Sequence, residues 1–215
     1  MRLSAESLRL YAVTDRTWLN GRTLAECVRE SIAGGATMIQ IREKSLGYEL
    51  FKSQALEIQS ICRENHIPFI VNDDVNLARE ISADGVHVGQ DDMRASDVRE
   101  IIGAGKILGV SVRNSDEAIE AEKNGADYLG AGAVFHTGTK LDAADVSHEA
   151  LKEICESVKI PVVAIGGISA GNIHLLAGSG IEGVAVISAI FAQDDIRKAS
   201  ENLRALSEKY FGHDA

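Results

Sequence analysis

The chain has 215 residues, with 22 Lys plus Arg against 32 Asp plus Glu and a formal charge of −10 at pH 7. Apolar residues make up 45% and charged residues 25%, the balance of an ordinary soluble domain, which excludes a disordered, collagenous or coiled-coil chain. The acidic balance also speaks against nucleic acid, because phosphate-backbone binding needs a basic stripe, so an anionic ligand would have to be held by local cations in a local pocket.

Strand-like and amphipathic helix-like runs alternate along the whole chain. Leu8–Thr14 reads as a strand before a helix at Leu24–Ala33, and Met38–Arg42 before Leu50–Arg63. Pro68–Asn72 leads to a short helix near Val75–Ser82, and Gly85–Gly89 to Ala95–Ile102. Ile107–Val112 precedes Ser115–Lys123, and Tyr128–Phe135 precedes Glu149–Val158. Pro161–Ile165 and Gly183–Ser188 complete the strands, with Ile196–Tyr210 as the last helix. Gly34–Gly35, Gly103, Gly125 and Gly178 with Gly180 are placed as left-handed helix caps. Most strands are continuous apolar runs, the mark of a parallel sheet covered on both faces.

Eight such units predict an α/β fold, a closed (β/α)8 TIM barrel, as one domain over residues 1–215. An open doubly wound sheet would carry a Gly-rich phosphate loop after its first strand, whereas here that turn is Thr14-Asp15-Arg16-Thr17-Trp18. The stretch Gly132 to Lys140 fails the P-loop pattern, because Thr139 separates Gly138 from Lys140.

Catalytic groups of such a barrel lie at the C-terminal ends of its strands. At the end of the second strand, alternation puts Gln40, Arg42 and Lys44 on one face and Ile39 and Ile41 on the other. The apolar parity belongs against the helices, so the polar one faces the mouth and forms an anion clamp rather than a merely solvated strand end. The third strand ends Asn72-Asp73-Asp74, and the fourth is followed by Gln90-Asp91-Asp92. One aspartate in each loop could cap the following helix. Two carboxylate loops side by side also suit Mg²⁺, which needs one or two carboxylates plus phosphate oxygens and water. His87, inside the fourth strand, reads as a core histidine satisfied by its neighbours. Ser111 ends the fifth strand. Thr137, Thr139 and Lys140 follow the sixth and suit a phosphate ester. Gly166-Gly167 after the seventh strand and Ser188 after the eighth sit where such barrels seat phosphate, although a turn needing positive φ would explain the glycines as well.

Tyr11-Ala-Val-Thr-Asp15, Gln40-Ile-Arg-Glu-Lys44, Asn72-Asp73, Gly85-Val-His-Val-Gly-Gln-Asp-Asp92, Gly109-Val-Ser111, Thr137-Gly-Thr-Lys140, Ile165-Gly-Gly-Ile168 and Val186-Ile-Ser-Ala-Ile190 occur in this order. Together they closely resemble the thiamine-phosphate synthase family over nearly the whole chain, with Ala133 where the family usually has proline. The resemblance implies a transferase of thiamine biosynthesis. It would join hydroxymethylpyrimidine diphosphate to hydroxyethylthiazole phosphate, or its carboxylated precursor, and release pyrophosphate. It implies that Gln40, Ile41, Arg42, Glu43, Lys44, Asn72, Ser111 and Lys140 hold the pyrimidine diphosphate, with Arg42, Lys44, Ser111 and Lys140 catalytic. Asp73 and Asp92 would ligate Mg²⁺, with Asp74 or Asp91 able to stand in, and Thr137, Thr139, Gly167, Ile187 and Ser188 would seat the thiazole phosphate. The rivals are a related thiazole tautomerase and a non-catalytic thiazole phosphate-binding regulator.

The expected partners are small phosphorylated molecules, with homo-oligomer formation left open and neither nucleic acid nor membrane involved. Cys27, Cys62 and Cys155 have no metal-ligand spacing and read as buried thiols in a reducing compartment. The run MRLSAESLRL lacks a signal-peptide core, and Val184 to Ala192 is too short to span a bilayer, so a cytoplasmic location is expected.

Overall fold

The computed structural model describes residues 3–136 and 146–212. Eight parallel strands close into a barrel in chain order: β1 (Leu10–Val13), β2 (Met38–Ile41), β3 (Phe69–Asn72), β4 (Gly85–Val88), β5 (Ile107–Val112), β6 (Tyr128–Ala131), β7 (Val162–Ile165) and β8 (Gly183–Val186). Pairing of Leu10 with Val184 and Ala12 with Val186 seals β1 against β8. Arg9 reinforces that seam, since its guanidinium donates to the Glu182 carbonyl at 2.7 Å and to the Phe211 carbonyl.

The helices are α1 (Leu24–Ala33), α2 (Tyr48–Glu64), α3 (Val75–Glu80), α4 (Ala95–Ile102), α5 (Ser115–Lys123), α6 (His148–Ser157), α7 (Ser188–Phe191) and α8 (Ile196–Phe211). The regular alternation expected from the sequence fails once. Between β7 and β8 the chain makes only a 3₁₀ turn, Ile173–Leu176, while two helices follow β8. That intervening segment, SAGNIHLLAGSG, carries three glycines, which disfavour a longer helix. Of the glycines expected as caps, Gly35, Gly103, Gly125, Gly178 and Gly180 have positive φ, whereas Gly34 has φ −86°.

Side-chain caps define several helix starts. Thr23 and Glu26 form a reciprocal capping box on α1, and Asn114, Ser147 and Asp195 accept N–H groups at the starts of α5, α6 and α8. Each such cap contributes about 1 kcal/mol.

Strand alternation divides the core into two layers. Ile39 and Ile41 join Phe69, Val71, Val86 and Leu108 beneath the helices. Tyr11, Met38, Ile70, Tyr128 and Val163 fill the barrel interior, with Leu8 packed on them from the 3₁₀ turn Ala5–Leu8. The interior is therefore solid, and the room for chemistry is left at the strands' C-terminal ends.

Candidate active site

That end of the barrel opens into a cleft of about 640 Å³. Arg42, Lys44, Asn72, Asp73, Asp92 and Ser111 line the wall built by β2 to β5, and Gly167, Ile187 and Ser188 line the opposite wall. These nine expected site residues do converge. Thr137, Thr139 and Lys140 lie outside the described residues. Gln40, Ile41 and Glu43 are placed elsewhere, and each for a clear reason.

Gln40 has the interior parity but is buried, and its amide donates to the Tyr11 hydroxyl at 2.5 Å. The Ile41 side chain belongs to the layer beneath the helices, as its odd parity on β2 requires, and Ile41 does not line the cleft. The Glu43 carboxylate turns onto its own loop, accepting N–H groups from Lys44, Ser45 and Leu46 at 2.8, 2.7 and 3.2 Å and the Ser45 hydroxyl at 3.0 Å. Burial works to raise its pKa, but the donors from Ser45, Lys44 and Leu46 outweigh it and hold the carboxyl below its ordinary value. Glu43 thus shapes the loop that carries Lys44.

The loop after β1 performs the same service for Arg42. Thr14 is fully buried, and its hydroxyl accepts the Arg42 backbone N–H at 3.1 Å. The Asp15 carboxylate lies 3.9 Å from the Arg42 guanidinium. Neither residue's role was legible from spacing, because the contact joins adjacent strands across 28 residues of chain.

The aspartate alternatives resolve differently in the two loops. Asp74 accepts the Leu77 N–H at 2.9 Å and caps α3. Its neighbour Asp73, held at φ +61°, faces the cleft and accepts Lys44 Nζ at 2.6 Å. In the second loop neither aspartate caps α4, whose N-cap position is Arg94 with no side-chain bond. Asp92 instead accepts the Gly89 N–H at 2.7 Å, and both Asp91 and Asp92 line the cleft.

Donor chemistry here fits a magnesium ion. The oxygens are hard carboxylates beside a cluster of cations suited to phosphate, and Mg²⁺ takes few protein ligands when substrate phosphates supply the rest. Among the described residues no group of three or more His, Cys, Asp or Glu could hold a metal without such help.

Beneath the mouth a chain of hydrogen bonds crosses the interior. From Gln40 it runs through Tyr11 to Tyr128 at 2.8 Å, then to His87 Nδ1 at 2.9 Å. His87 Nε2 lies 2.9 Å from Ser111 Oγ. His87 is thus core-facing and satisfied, as expected, and it also reaches the cleft wall. Tyr128 was missed, as were Gln90 and Arg113, which line the mouth. Arg113 stands two residues beyond Ser111, so period-two alternation could have found it; Gln90 donates to the Ser111 carbonyl at 2.7 Å.

The opposite wall is built from backbone. Gly166 and Gly167 have φ of +101° and +66°. A Cβ on Gly167 would also lie 2.6 Å from the His136 carbonyl oxygen and 2.7 Å from that of Phe135, so the turn and its close packing both require glycine. Asn172 fixes this loop, donating to the Gly167 carbonyl at 2.9 Å and accepting the Ser169 N–H at 2.8 Å. Ser188 opens the short α7 after β8. Loops after β7 and β8 beside a short extra helix are the recurrent phosphate seat of this fold. Ala133, which follows a cis peptide bond from Gly132, sits on the same wall.

The sequence model of a family described as thiamine monophosphate synthase matches residues 10–190. The chain belongs to that family. A thiamine-phosphate synthase of Clostridium novyi (strain NT) is 48% identical over 196 residues, covering 91% of this chain and 96% of its own. One from Ruminiclostridium cellulolyticum (strain ATCC 35319 / DSM 5812 / JCM 6584 / H10) is 49% identical over 194 residues, covering 90% of this chain and 92% of its own. The solved structure of a thiamine phosphate pyrophosphorylase from Pyrococcus furiosus superposes with a TM-score of 0.89 at 43% identity, covering 97% of this chain and 99% of that one. The family match spans β1 to α7, so it includes every strand whose end faces the cleft.

Proposed function

We infer that the chain is a thiamine-phosphate synthase, a transferase that joins hydroxymethylpyrimidine diphosphate to hydroxyethylthiazole phosphate, or its carboxylated precursor, with release of pyrophosphate. The observation that carries this reading is the convergence of Arg42, Lys44, Asn72, Asp73, Asp92 and Ser111 on one wall of a cleft whose other wall is Gly167, Ile187 and Ser188. Two anionic substrates need two such walls facing one another.

The carbon–oxygen bond between the pyrimidine methylene and the diphosphate breaks towards oxygen, and the thiazole nitrogen's lone pair forms the new carbon–nitrogen bond. The electron-rich aminopyrimidine stabilises the developing cation, so no protein nucleophile is required. Arg42 and Lys44 hold the departing diphosphate and oppose its growing charge, with Lys140 assigned to the same task by the family resemblance. Lys44 would exchange its partner Asp73 for a phosphate oxygen, which frees that carboxylate. Asp73 and Asp92 would hold the ion, which supplies further neutralisation of the leaving group when bound. Gly167, Ile187 and Ser188, with Thr137 and Thr139, fix the thiazole phosphate so that the ring nitrogen lies in line with the methylene carbon.

A thiazole tautomerase moves only a proton and has no use for the cation and carboxylate wall, and a mere binding protein has no use for groups aimed at a leaving diphosphate. Pyrophosphate release from the two substrates, measured with and without Mg²⁺, tests the reading. Release only with both substrates and the ion is expected. Thiazole isomerisation without pyrophosphate, or binding without turnover, would overturn it.

Among the described residues no helix is long and apolar enough to cross a membrane. Cys27 and Cys62 are buried and Cys155 is half-buried, all three as free thiols, which supports a reducing, cytoplasmic setting.

A further inference from the structure

We propose that the interior chain Gln40–Tyr11–Tyr128–His87 sets the direction of the Ser111 hydroxyl, making it a hydrogen-bond donor to the pyrimidine diphosphate, with Tyr128 and His87 as positioning residues. This rests on the placement of that substrate at Ser111 proposed above.

The direction follows from counting protons. The Gln40 amide nitrogen has hydrogens only to give, so the Tyr11 oxygen accepts. A phenol has one hydrogen, and the Tyr128 oxygen at 2.8 Å is the acceptor that the structure places beside it, so Tyr11 gives it there. Tyr128 in turn gives its own to His87 Nδ1 at 2.9 Å. An accepting Nδ1 places the imidazole proton on Nε2, which donates to Ser111 Oγ at 2.9 Å. The hydroxyl hydrogen of Ser111 is then directed to the cleft, where its oxygen could otherwise have served equally as an acceptor. Burial raises the pKa of both phenols, so each keeps the hydrogen this sequence of donations needs.

Backbone architecture supports the chain independently. His87 on β4, Gly109 on β5 and Tyr128 on β6 lie side by side in register. A Cβ on Gly109 would stand 2.3 Å from the Tyr128 hydroxyl oxygen and 2.4 Å from His87 Nδ1. The missing side chain on the middle strand is what lets its two neighbours meet. A glycine inside a strand costs stability, so its place here has a specific consequence.

The Tyr128→Phe variant removes one oxygen and keeps the ring that packs edge-on to Tyr11 at 5.9 Å. The full chain, labelled with ¹⁵N-histidine, is read by NMR at neutral pH, with the His87→Gln variant assigning one signal among six histidines. The expected spectrum shows the Nε2–H tautomer in the native chain and loss of that single-tautomer signature in Tyr128→Phe. Kinetically, Tyr128→Phe is expected to lower kcat/KM for the pyrimidine diphosphate about 10-fold, the scale on which outer partners of a contact residue act. The thiazole phosphate KM stays unchanged, and the loss is not added again in a Ser111→Ala background. A proton on Nδ1, the signature of a reversed chain with the Gln40 amide turned over, overturns the proposal, as does a loss fully additive with Ser111→Ala. Normal kinetics for Ser111→Ala alone would instead refute the substrate placement, while the spectrum of the ligand-free chain still decides the direction of the hydrogen bonds.

Discussion

The two walls of the cleft are built by opposite means. From β2 to β5 the wall carries polar side chains, among them three cations each near a carboxylate: Arg42 near Asp15, Lys44 on Asp73, Arg113 near Glu117. From β6 to β8 it is made of glycines at positive φ and a short helix start. A diphosphate gains charge as it leaves, whereas the thiazole phosphate keeps the same charge throughout. Mobile cations with exchangeable partners suit the first, and fixed backbone geometry suits the second. The division of labour predicts that variants of one wall act on the chemical step and variants of the other on binding.

The sharpest break is expected from Asp92→Ala. Its carboxylate is exposed at the cleft and does not cap α4, so the fold should survive with the loss of one hydrogen bond to Gly89, about 1 kcal/mol. Mg²⁺-dependent turnover should fall by about 100-fold or more, as when one preorganised electrostatic partner is removed. Pyrophosphate release across a magnesium titration, beside a thermal melt, checks both halves. Normal turnover with a lowered Tm would make Asp92 a loop residue only.

Lys140→Ala and Thr137→Ala make a matched pair across the same division. Under the proposed assignment Lys140 would serve the leaving diphosphate, so its loss should lower kcat on the order of 100-fold. Under the same assignment Thr137 would contribute binding equal in ground and transition states, so its loss should raise the thiazole phosphate KM and leave kcat in place. Steady-state kinetics with each substrate varied in turn separates them. If Lys140→Ala changed only the thiazole KM, this lysine would serve the other phosphate.

Gly167→Ala probes the backbone wall. The substitution both strains a φ of +66° and drives a Cβ against two carbonyl oxygens. A stability loss above about 1 kcal/mol is expected by urea denaturation, together with a raised thiazole phosphate KM and an unchanged pyrimidine diphosphate KM. An equal rise in both would merge the two walls into one site.

Much of this was legible in the sequence, and the remainder has a common cause. Strand order, the mouth-facing parity of Arg42 and Lys44 and the glycine pair all follow from local pattern, because period and turn chemistry are local. The aspartate ambiguity was local too, but its resolution was not. Only the closed barrel shows that Asp74 bonds the Leu77 N–H while Asp73 meets Lys44. Tyr11, His87 and Tyr128 sit on strands 1, 4 and 6 and touch only across the interior, so no window of sequence contains them. Gln40 shows the limit of parity. Its face was read correctly, but burial beneath the mouth gave its amide to Tyr11.

Glu43→Gln should have the smallest effect and tests whether the charged wall depends on its scaffolding as well as its contacts. The Glu43 carboxylate gathers the Lys44, Ser45 and Leu46 N–H groups and lies 3.5 Å from Arg16. Its folded-state pKa lies below the unfolded value, so the ionised form is favoured by folding. That contribution is fully present above the unfolded carboxyl value of about 4.3 and is lost as pH falls through the lower folded value. Replacing the carboxylate with an amide leaves one acceptor oxygen without charge. The variant's Tm should therefore be lower than the parent's at neutral pH, and the gap should narrow as pH drops below about 4. The pyrimidine diphosphate KM should rise a few-fold as the Lys44 loop loosens, with the thiazole phosphate KM unmoved. A Tm gap that stays constant through the acid range would show that the loop is held by packing rather than by the charge on Glu43.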